Sequence, residues 1–265
     1  MGVDGRPIAL SFTLRNMEGD ILSSYHGTYR YYAASTMKLA VALTVLHAVD
    51  DGRLALDDVI PATHRYPSAA GGSFRFDEED SDPLFPAEGD PISVRELLES
   101  MIERSCNEST NMLMDMVGIE AIHEMCARCG LHDMHVDRLI GDVAAARATG
   151  ISNEVTSDDL SWLTVQAVRG DYLADASTEL LRNALRQQRY PVIADVLPEL
   201  GKQNVDWGSK SGWVDGIRHD VAFLGDPDDP HSLVLCVLSS GIEDEAAIAA
   251  EHAIAAGLLE PLLRS

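Results

Sequence analysis

Three short stretches of the chain carry residue types that together can transfer an acyl group: Ser35-Thr-Met-Lys38, Ser105-Cys-Asn107 and Lys210-Ser-Gly212. In the first, a serine and a lysine stand three residues apart, which puts both side chains on one face of a helix. The run that follows, Leu39 to Val49, has almost no polar face and predicts a helix buried in the interior. A lysine at the head of such a helix is costly to bury charged, and it tends to shed its proton. A neutral amine beside a hydroxyl is a general base beside a nucleophile. Taken alone, Ser-x-x-Lys reads better as an N-cap serine followed by a lysine whose stem lies along apolar surface. The other two stretches change that balance. Of twenty basic residues only Lys38, Lys202 and Lys210 are lysines, and two of them fall in these stretches. Arginine, with its permanent charge, does not serve where a base is required.

The elements that must position these residues are legible in outline. Residues 7–25 read as a hairpin turning at Asn16–Asp20. After the Ser35 helix, Asp50-Asp-Gly52 supplies a stop. Residues 61–91 are rich in Gly, Pro, Ser and acid, including Asp77-Glu-Glu-Asp-Ser-Asp82, and form either a functional lid or a disordered excursion. Ser93-Val-Arg-Glu96 is a capping box that starts a helix through about Glu103. Helices follow at 108–117 and 120–129, then a second long loop over 131–153, then helices at 157–168 and 176–187. Strands are expected at 206–212, 218–224 and 232–238, and a last helix at 243–259. Strands at both chain ends with helices between them predict an α/β fold of the α+β type. Its antiparallel sheet is built from both termini with flanking helices, and an all-α domain is inserted. The expected units are residues 1–33 together with 190–265, and residues 34–189, with the active site between them.

Composition narrows the classes of function. At 265 residues, 46% apolar and 24% charged, the chain is an ordinary globule able to bury a substantial core. Its net charge of −23 argues against nucleic acid and anionic membranes as partners. No apolar run is long enough to span a bilayer. The start, Met1 to Pro7, lacks a basic region followed by an apolar core, so a cytoplasmic protein is expected, or a secreted one if the leader is missing from the sequence. Four cysteines at 106, 126, 129 and 236 make no disulfide framework. Cys126, Cys129, His132 and His135 resemble a list of zinc ligands, but the pairs lie too close in sequence for four ligands to converge. No metal and no cofactor is expected, and the partner is a small-molecule substrate.

In kind, order and spacing the three stretches match the S-x-x-K, S-D-N and K-T/S-G set of penicillin-recognising serine enzymes. The chain resembles the class A β-lactamase family and its penicillin-binding-protein relatives. Further likeness lies in Ser93-Val-Arg-Glu-Leu-Leu98, Asn107-Glu-Ser-Thr-Asn-Met-Leu113, the pair Asp137-Arg138 opening an Ω loop, Asn153-Glu-Val-Thr156 closing it, and Arg218-His-Asp-Val-Ala222. The resemblance implies that Ser35 forms the acyl-enzyme, with Lys38 as base or proton shuttle. It implies that Ser105 relays a proton to the leaving nitrogen, with Lys210 keeping the region electropositive. Asn107 would hold the substrate's amide side chain, Ser211 and Arg218 would grip its carboxylate, and Gly212 and Trp213 would also contact the substrate. The N–H groups of Ser35 and Trp213 would form the oxyanion hole. For Arg218 an ordinary strand arginine is an equal reading.

Two positions depart from the family. Cys106 stands where the family usually has Asp. The place of the deacylating glutamate falls on Ile140, and no Glu-x-x-Leu-Asn occurs in the chain. Hydrolysis of an acyl-enzyme needs a base to take the water's proton. Asp142 is the candidate water-activating carboxylate if the loop is rewound. The expectation is therefore a β-lactamase-like serine hydrolase that acylates readily from β-lactams or related amides and esters and deacylates slowly. The alternatives are an esterase or D-amino-acid peptidase on the same scaffold, with the acidic 68–90 loop selecting the substrate, and a ligand-binding module that has lost catalysis.

Overall fold

A computed structural model of the chain describes residues 2–262. In chain order it forms β1 (Ala9–Asn16), β2 (Ile21–Tyr25), β3 (Tyr31–Tyr32), α1 (Lys38–Asp50), β4 (Val59–Pro61), β5 (Tyr66–Pro67), β6 (Ser73–Phe74) and β7 (Pro91–Ser93). Then come α2 (Val94–Glu103), α3 (Asn107–Val117), α4 (Ile119–Arg128), α5 (Val143–Thr149) and β8 (Glu154–Val155). The last part holds α6 (Ser157–Arg169), α7 (Asp175–Arg186), β9 (Trp207–Val214), β10 (Ile217–Leu224), β11 (Leu233–Ser240) and α8 (Asp244–Leu262).

Five strands from the two chain ends form one antiparallel sheet in the order β2-β1-β11-β10-β9. β11 is central, and all eight of its residues are buried. Helices cover both its faces, so Leu-Val-Leu-Cys-Val-Leu needs no polar alternation. On one face Val221, Phe223, Val234, Cys236 and Leu238 join the core of the helices. On the other Leu14, Ala222, Leu224, Leu235 and Val237 meet Ala255 and Leu259 of α8. Core packing is thus continuous between the helices and the sheet.

α1 is buried from Lys38 to Leu46 and is packed against α2, α3, α4, α6 and α7, as its apolar sequence requires. The capping box at Ser93 forms with both reciprocal bonds: Ser93 Oγ accepts from Glu96 N–H at 3.2 Å, and Glu96 accepts from Ser93 N–H at 2.8 Å. Two stretches differ from expectation. Residues 61–91, expected as a lid or a disordered excursion, are closed at their ends by the pairing of β4 with β7 and hold the paired strands β5 and β6 within. Residues 131–153 include α5, which Asp142 caps at its start and Gly150, at φ 74°, closes. Seven residues give too short a periodicity to read, and cap and stop were the only local signals.

Candidate active site

The turn before α1 sets the geometry. Ala34–Met37 is a 3₁₀ turn, and in that geometry side chains at i and i+3 eclipse, which lines Ser35 up with Lys38. Ala34 has φ 45°, a left-handed conformation that an alanine adopts only under constraint. The constraints are visible. Ala33 N–H donates to Asn153 O at 2.9 Å and Thr36 Oγ1 donates to Ala33 O at 2.7 Å. His219 on β10, with burial lowering its pKa to about 4, is neutral; its Nε2 lies 3.0 Å from Tyr32 O, the donor geometry of an Nε2–H ring. Ser105 is the second left-handed residue of the site, at φ 61°. Strain at two members of one cluster marks a functional site.

The three sequence stretches meet. Lys38 Nζ donates to Ser105 O at 2.6 Å and Asn107 Oδ1 at 2.8 Å, and lies 3.2 Å from Ser105 Oγ. Lys210 Nζ reaches the same hydroxyl at 3.1 Å and donates to Ser211 O at 2.7 Å. Both lysines are fully buried. Desolvation lowers Lys38 to about 7 against the opposing pull of Cys106, Glu108 and Asp82. Burial, then the nearby Lys38 charge, pushes Lys210 well below the ordinary lysine value. A neutral amine has two N–H groups and one lone pair. For Lys38 the two carbonyl-type oxygens use the hydrogens and leave the lone pair for a hydroxyl.

Strand β9, at the sheet edge, runs directly against the Ser35 turn. A Cβ on Gly212 would lie 2.7 Å from Ser35 N and 2.9 Å from Thr36 N, so only glycine lets the strand approach. Trp213, next along, is 40% exposed, meets Tyr190 edge-on at 5.0 Å, and lines the cleft with Ser35. That cleft has two lobes sharing Ser35, Asp80, Asn107 and Trp213, of about 210 and 250 Å³. The first lobe is walled by residues 79–83, Arg104 and Tyr190. The second is walled by Tyr32, Phe76, Arg138, Ile140, Val143 and Val214.

Three of the expected site residues, Asp142, Arg218 and Ser211, stand outside the cleft lining. Asp142 caps the start of α5. Its carboxylate accepts from Ser68 Oγ at 2.8 Å, Ala69 N–H at 2.9 Å and Ala145 N–H at 3.1 Å, and it does not line the cleft. Desolvation opposes ionisation there, but those three bonds outweigh it and lower the pKa. Arg218 is not aimed at the cleft either. It pairs with Asp244 of α8 at 3.3 Å, lies over the Trp213 ring at 5.2 Å, and lines neither lobe. Ser211 is fully buried with its Oγ unpartnered, and it lines neither lobe. Cys106 keeps its loop by other means. Its sulfur accepts from Ser109 N–H at 3.4 Å to cap α3, and the buried Glu108 carboxylate takes the Asp82 N–H at 3.2 Å. Asp82 in turn pairs with Arg104.

Other residues of the site went unread in the sequence. Asn111 clamps the backbone of Ile140, its Oδ1 accepting from Ile140 N–H and its Nδ2 donating to Ile140 O, both at 2.9 Å. Its signal was an asparagine one helical turn after Asn107. Phe76 enters the cleft through the alternation Phe74-Arg-Phe76, which reads only once the hairpin is known. Glu108 had no signal, since nothing marks one acid among many as buried.

A model of the beta-lactamase enzyme family matches residues 3–260. Among solved structures, a beta-lactamase from Sphaerobacter thermophilus is 26% identical, with a TM-score of 0.80 over 98% of this chain and 93% of that one. Beta-lactamases from Xanthomonas campestris and Chitinophaga pinensis share the fold. They are 23% and 20% identical, cover 98% and 97% of this chain and 93% and 94% of their own, and each has a TM-score of 0.77. No curated protein sequence matches significantly.

Proposed function

Because the chain belongs to the beta-lactamase enzyme family, we propose that it is a serine hydrolase that forms an acyl-enzyme at Ser35 from β-lactams or related amides and esters and releases it slowly. One observation carries the reading: the Ser105 hydroxyl is held between two buried lysine amines, at 3.2 and 3.1 Å, beside the turn that bears Ser35. Lys38 in its free-base form takes the Ser35 proton as Oγ attacks the carbonyl carbon. The oxyanion develops against the Ser35 and Trp213 N–H groups at the Gly212 approach. As the C–N bond breaks, Ser105 gives its proton to the leaving nitrogen and regains one from the lysine. The acyl group is then on Ser35, and the leaving amine carries the serine's original proton equivalent.

Slow release follows from Ile140. Its backbone is clamped by Asn111, and its side chain lines the cleft where a water-activating carboxylate would be needed. Incubation with benzylpenicillin followed by intact-mass measurement tests this, beside turnover of a chromogenic cephalosporin. An adduct on Ser35 with little turnover is expected. No adduct and no turnover would remove lactams as substrates, while rapid turnover would contradict slow release. A second reading, esterase rather than lactamase, is favoured by the pairing of Arg218 with Asp244, which leaves that guanidinium unaimed at a substrate carboxylate. Hydrolysis of p-nitrophenyl esters without lactam acylation would select it.

A further inference from the structure

The Lys38 amine is fully buried, and the oxygens it bonds to, Ser105 O, Ser105 Oγ and Asn107 Oδ1, are neutral. A buried cation needs a buried anion nearby. The first turn of α3 supplies one. Glu108 is fully buried, and both its oxygens take the Asp82 N–H, at 3.2 Å each. The Cys106 thiol donates to its Oε2 at 3.4 Å. These donors are neutral too, so the positive charge that balances the carboxylate is set further off.

Four charged or titratable groups act on the Lys38 amine. Lys210 of β9 reaches the same Ser105 hydroxyl, and Cys106, Glu108 and Asp82 oppose the desolvation of Lys38. Asp82 is already paired with Arg104. Burial pushes the Cys106 thiol up to about 12, which leaves it uncharged. Glu108 is therefore the anion whose charge is left for Lys38. From the β5–β6 hairpin, the phenol of Tyr66 is also near this carboxylate. Burial, then Glu108, pushes that phenol's pKa up, and its hydroxyl donates to Thr63 O at 2.7 Å.

The helix start explains why a glutamate stands there. An aspartate as N-cap accepts a backbone N–H and brings a negative charge to the end of the helix that favours it. Here the two duties are split. Cys106 Sγ accepts from Ser109 N–H at 3.4 Å and from Ser109 Oγ at 3.1 Å. Glu108, two residues on, brings the carboxylate. It also fastens the cleft wall: the Asp82 N–H on Glu108, with Asn107 Nδ2 on Asp80 O at 3.0 Å, holds residues 80–82 beside the first lobe.

We propose that Glu108 is a positioning residue of the acyl-transfer site: its carboxylate is the buried counter-charge of Lys38, and with Cys106 it does what one aspartate at position 106 would do. The inference rests on Lys38 being the base for Ser35, as argued above. Glu108 lines neither lobe and acts through the amine. Without its charge Lys38 holds its proton less tightly, and the acid limb of the acylation rate moves to lower pH.

The burst of p-nitrophenolate from p-nitrophenyl acetate and the labelling of Ser35 by a fluorophosphonate are measured on the full chain from pH 5 to 9. In the burst the Ser35 Oγ–carbonyl bond forms as the carbonyl–oxygen bond to p-nitrophenolate breaks, and Lys38 takes the serine proton. Glu108→Gln is expected to lower the midpoint of the acid limb by about one pH unit. Adding Cys106→Asp to Glu108→Gln returns a carboxylate to the same helix turn, and the midpoint is expected to come back to about 7. A loss of packing alone would slow the plateau and leave the midpoint in place. A midpoint unmoved in Glu108→Gln, or still displaced in the double variant, while Ser35 labels, overturns the role of Glu108 and leaves the acyl-transfer reading standing. Should Glu108→Gln fail to fold, the midpoint of the double variant decides in the same way. No burst and no labelling of Ser35 in the original chain removes both.

Discussion

With Lys38 as the proposed base, acylation of Ser35 should switch on as pH rises through about 7, the value to which burial lowers its amine from 10.5. The direction follows from which form works. Protonated Lys38 has no lone pair, and the free base does, so activity is lost on the acid side. Below the midpoint the rate falls tenfold per pH unit, leaving about 1% of the plateau at pH 5. The midpoint belongs jointly to Lys38 and Lys210, since both amines reach the Ser105 hydroxyl and the second proton is held more weakly than the first. Stability has the same sign. The unfolded chain binds a proton on this lysine below about 10.5, whereas the folded chain does so only below about 7. The penalty is therefore full below 7 and disappears as pH rises toward 10.5. The assay is the ester burst or the fluorophosphonate labelling rate from pH 5 to 9, with Lys38→Arg alongside. The arginine variant should lose on the order of 10²–10⁴ of the rate. A flat profile, a midpoint near 10, or a Lys38→Arg protein as fast as the original would refute the assignment of the base.

Three further outcomes are expected. Ile140→Glu places a carboxylate on a backbone already clamped by Asn111, so the lifetime of a penicilloyl adduct followed by intact mass should fall by roughly 10²–10⁴. Gly212→Ala pushes a methyl to within 2.7 Å of Ser35 N, and acylation should drop by roughly 10²–10³ with the circular dichroism spectrum unchanged. Asp142→Asn turns an amide NH₂ toward groups that donate to the carboxylate, which should cost about 1–3 kcal/mol in urea unfolding. Because this carboxyl's pKa is lowered in the fold, its contribution is present above the ordinary carboxylate value and lost as pH falls below it. The gap between the Asp142→Asn protein and the original should close in acid. Deacylation should not track the variant, as it would if Asp142 activated water.

Much of the site was legible because its chemistry sits in short stretches. Ser35 with Lys38, and Lys210 with Gly212, are local in sequence, and the all-round apolar helix after Lys38 points to a buried amine once the other stretches stand beside it. The sheet from both ends was legible from strand runs such as 232–238, whose apolar continuity marks a buried strand. What could not be read were pairings between distant surfaces. Arg218 sits on the right strand, yet its aim depends on Asp244, at the start of α8. Asp142 has the right chemistry, yet Ser68 and Ala69, from a hairpin far back in the chain, claim its oxygens first. Composition likewise left 61–91 open between a lid and a disordered excursion, because the packing of Tyr66, Phe74 and Phe76 on one another is a tertiary fact.

The central place of β11 has a consequence for how the chain is made. β1 leaves the ribosome early, but its neighbours in the sheet are β2 and β11, and β11 is not complete until Ser240 has been synthesised. Through that interval β1 offers an open edge, and α1, apolar on every side, has no sheet to cover it. Nascent chains halted before β11 should therefore be sticky, protease-sensitive and bound by holdase chaperones, and full-length chains should lose all three properties together. The same order of assembly means that Lys210 reaches Ser105, 105 residues earlier, only when the last third of the chain has emerged.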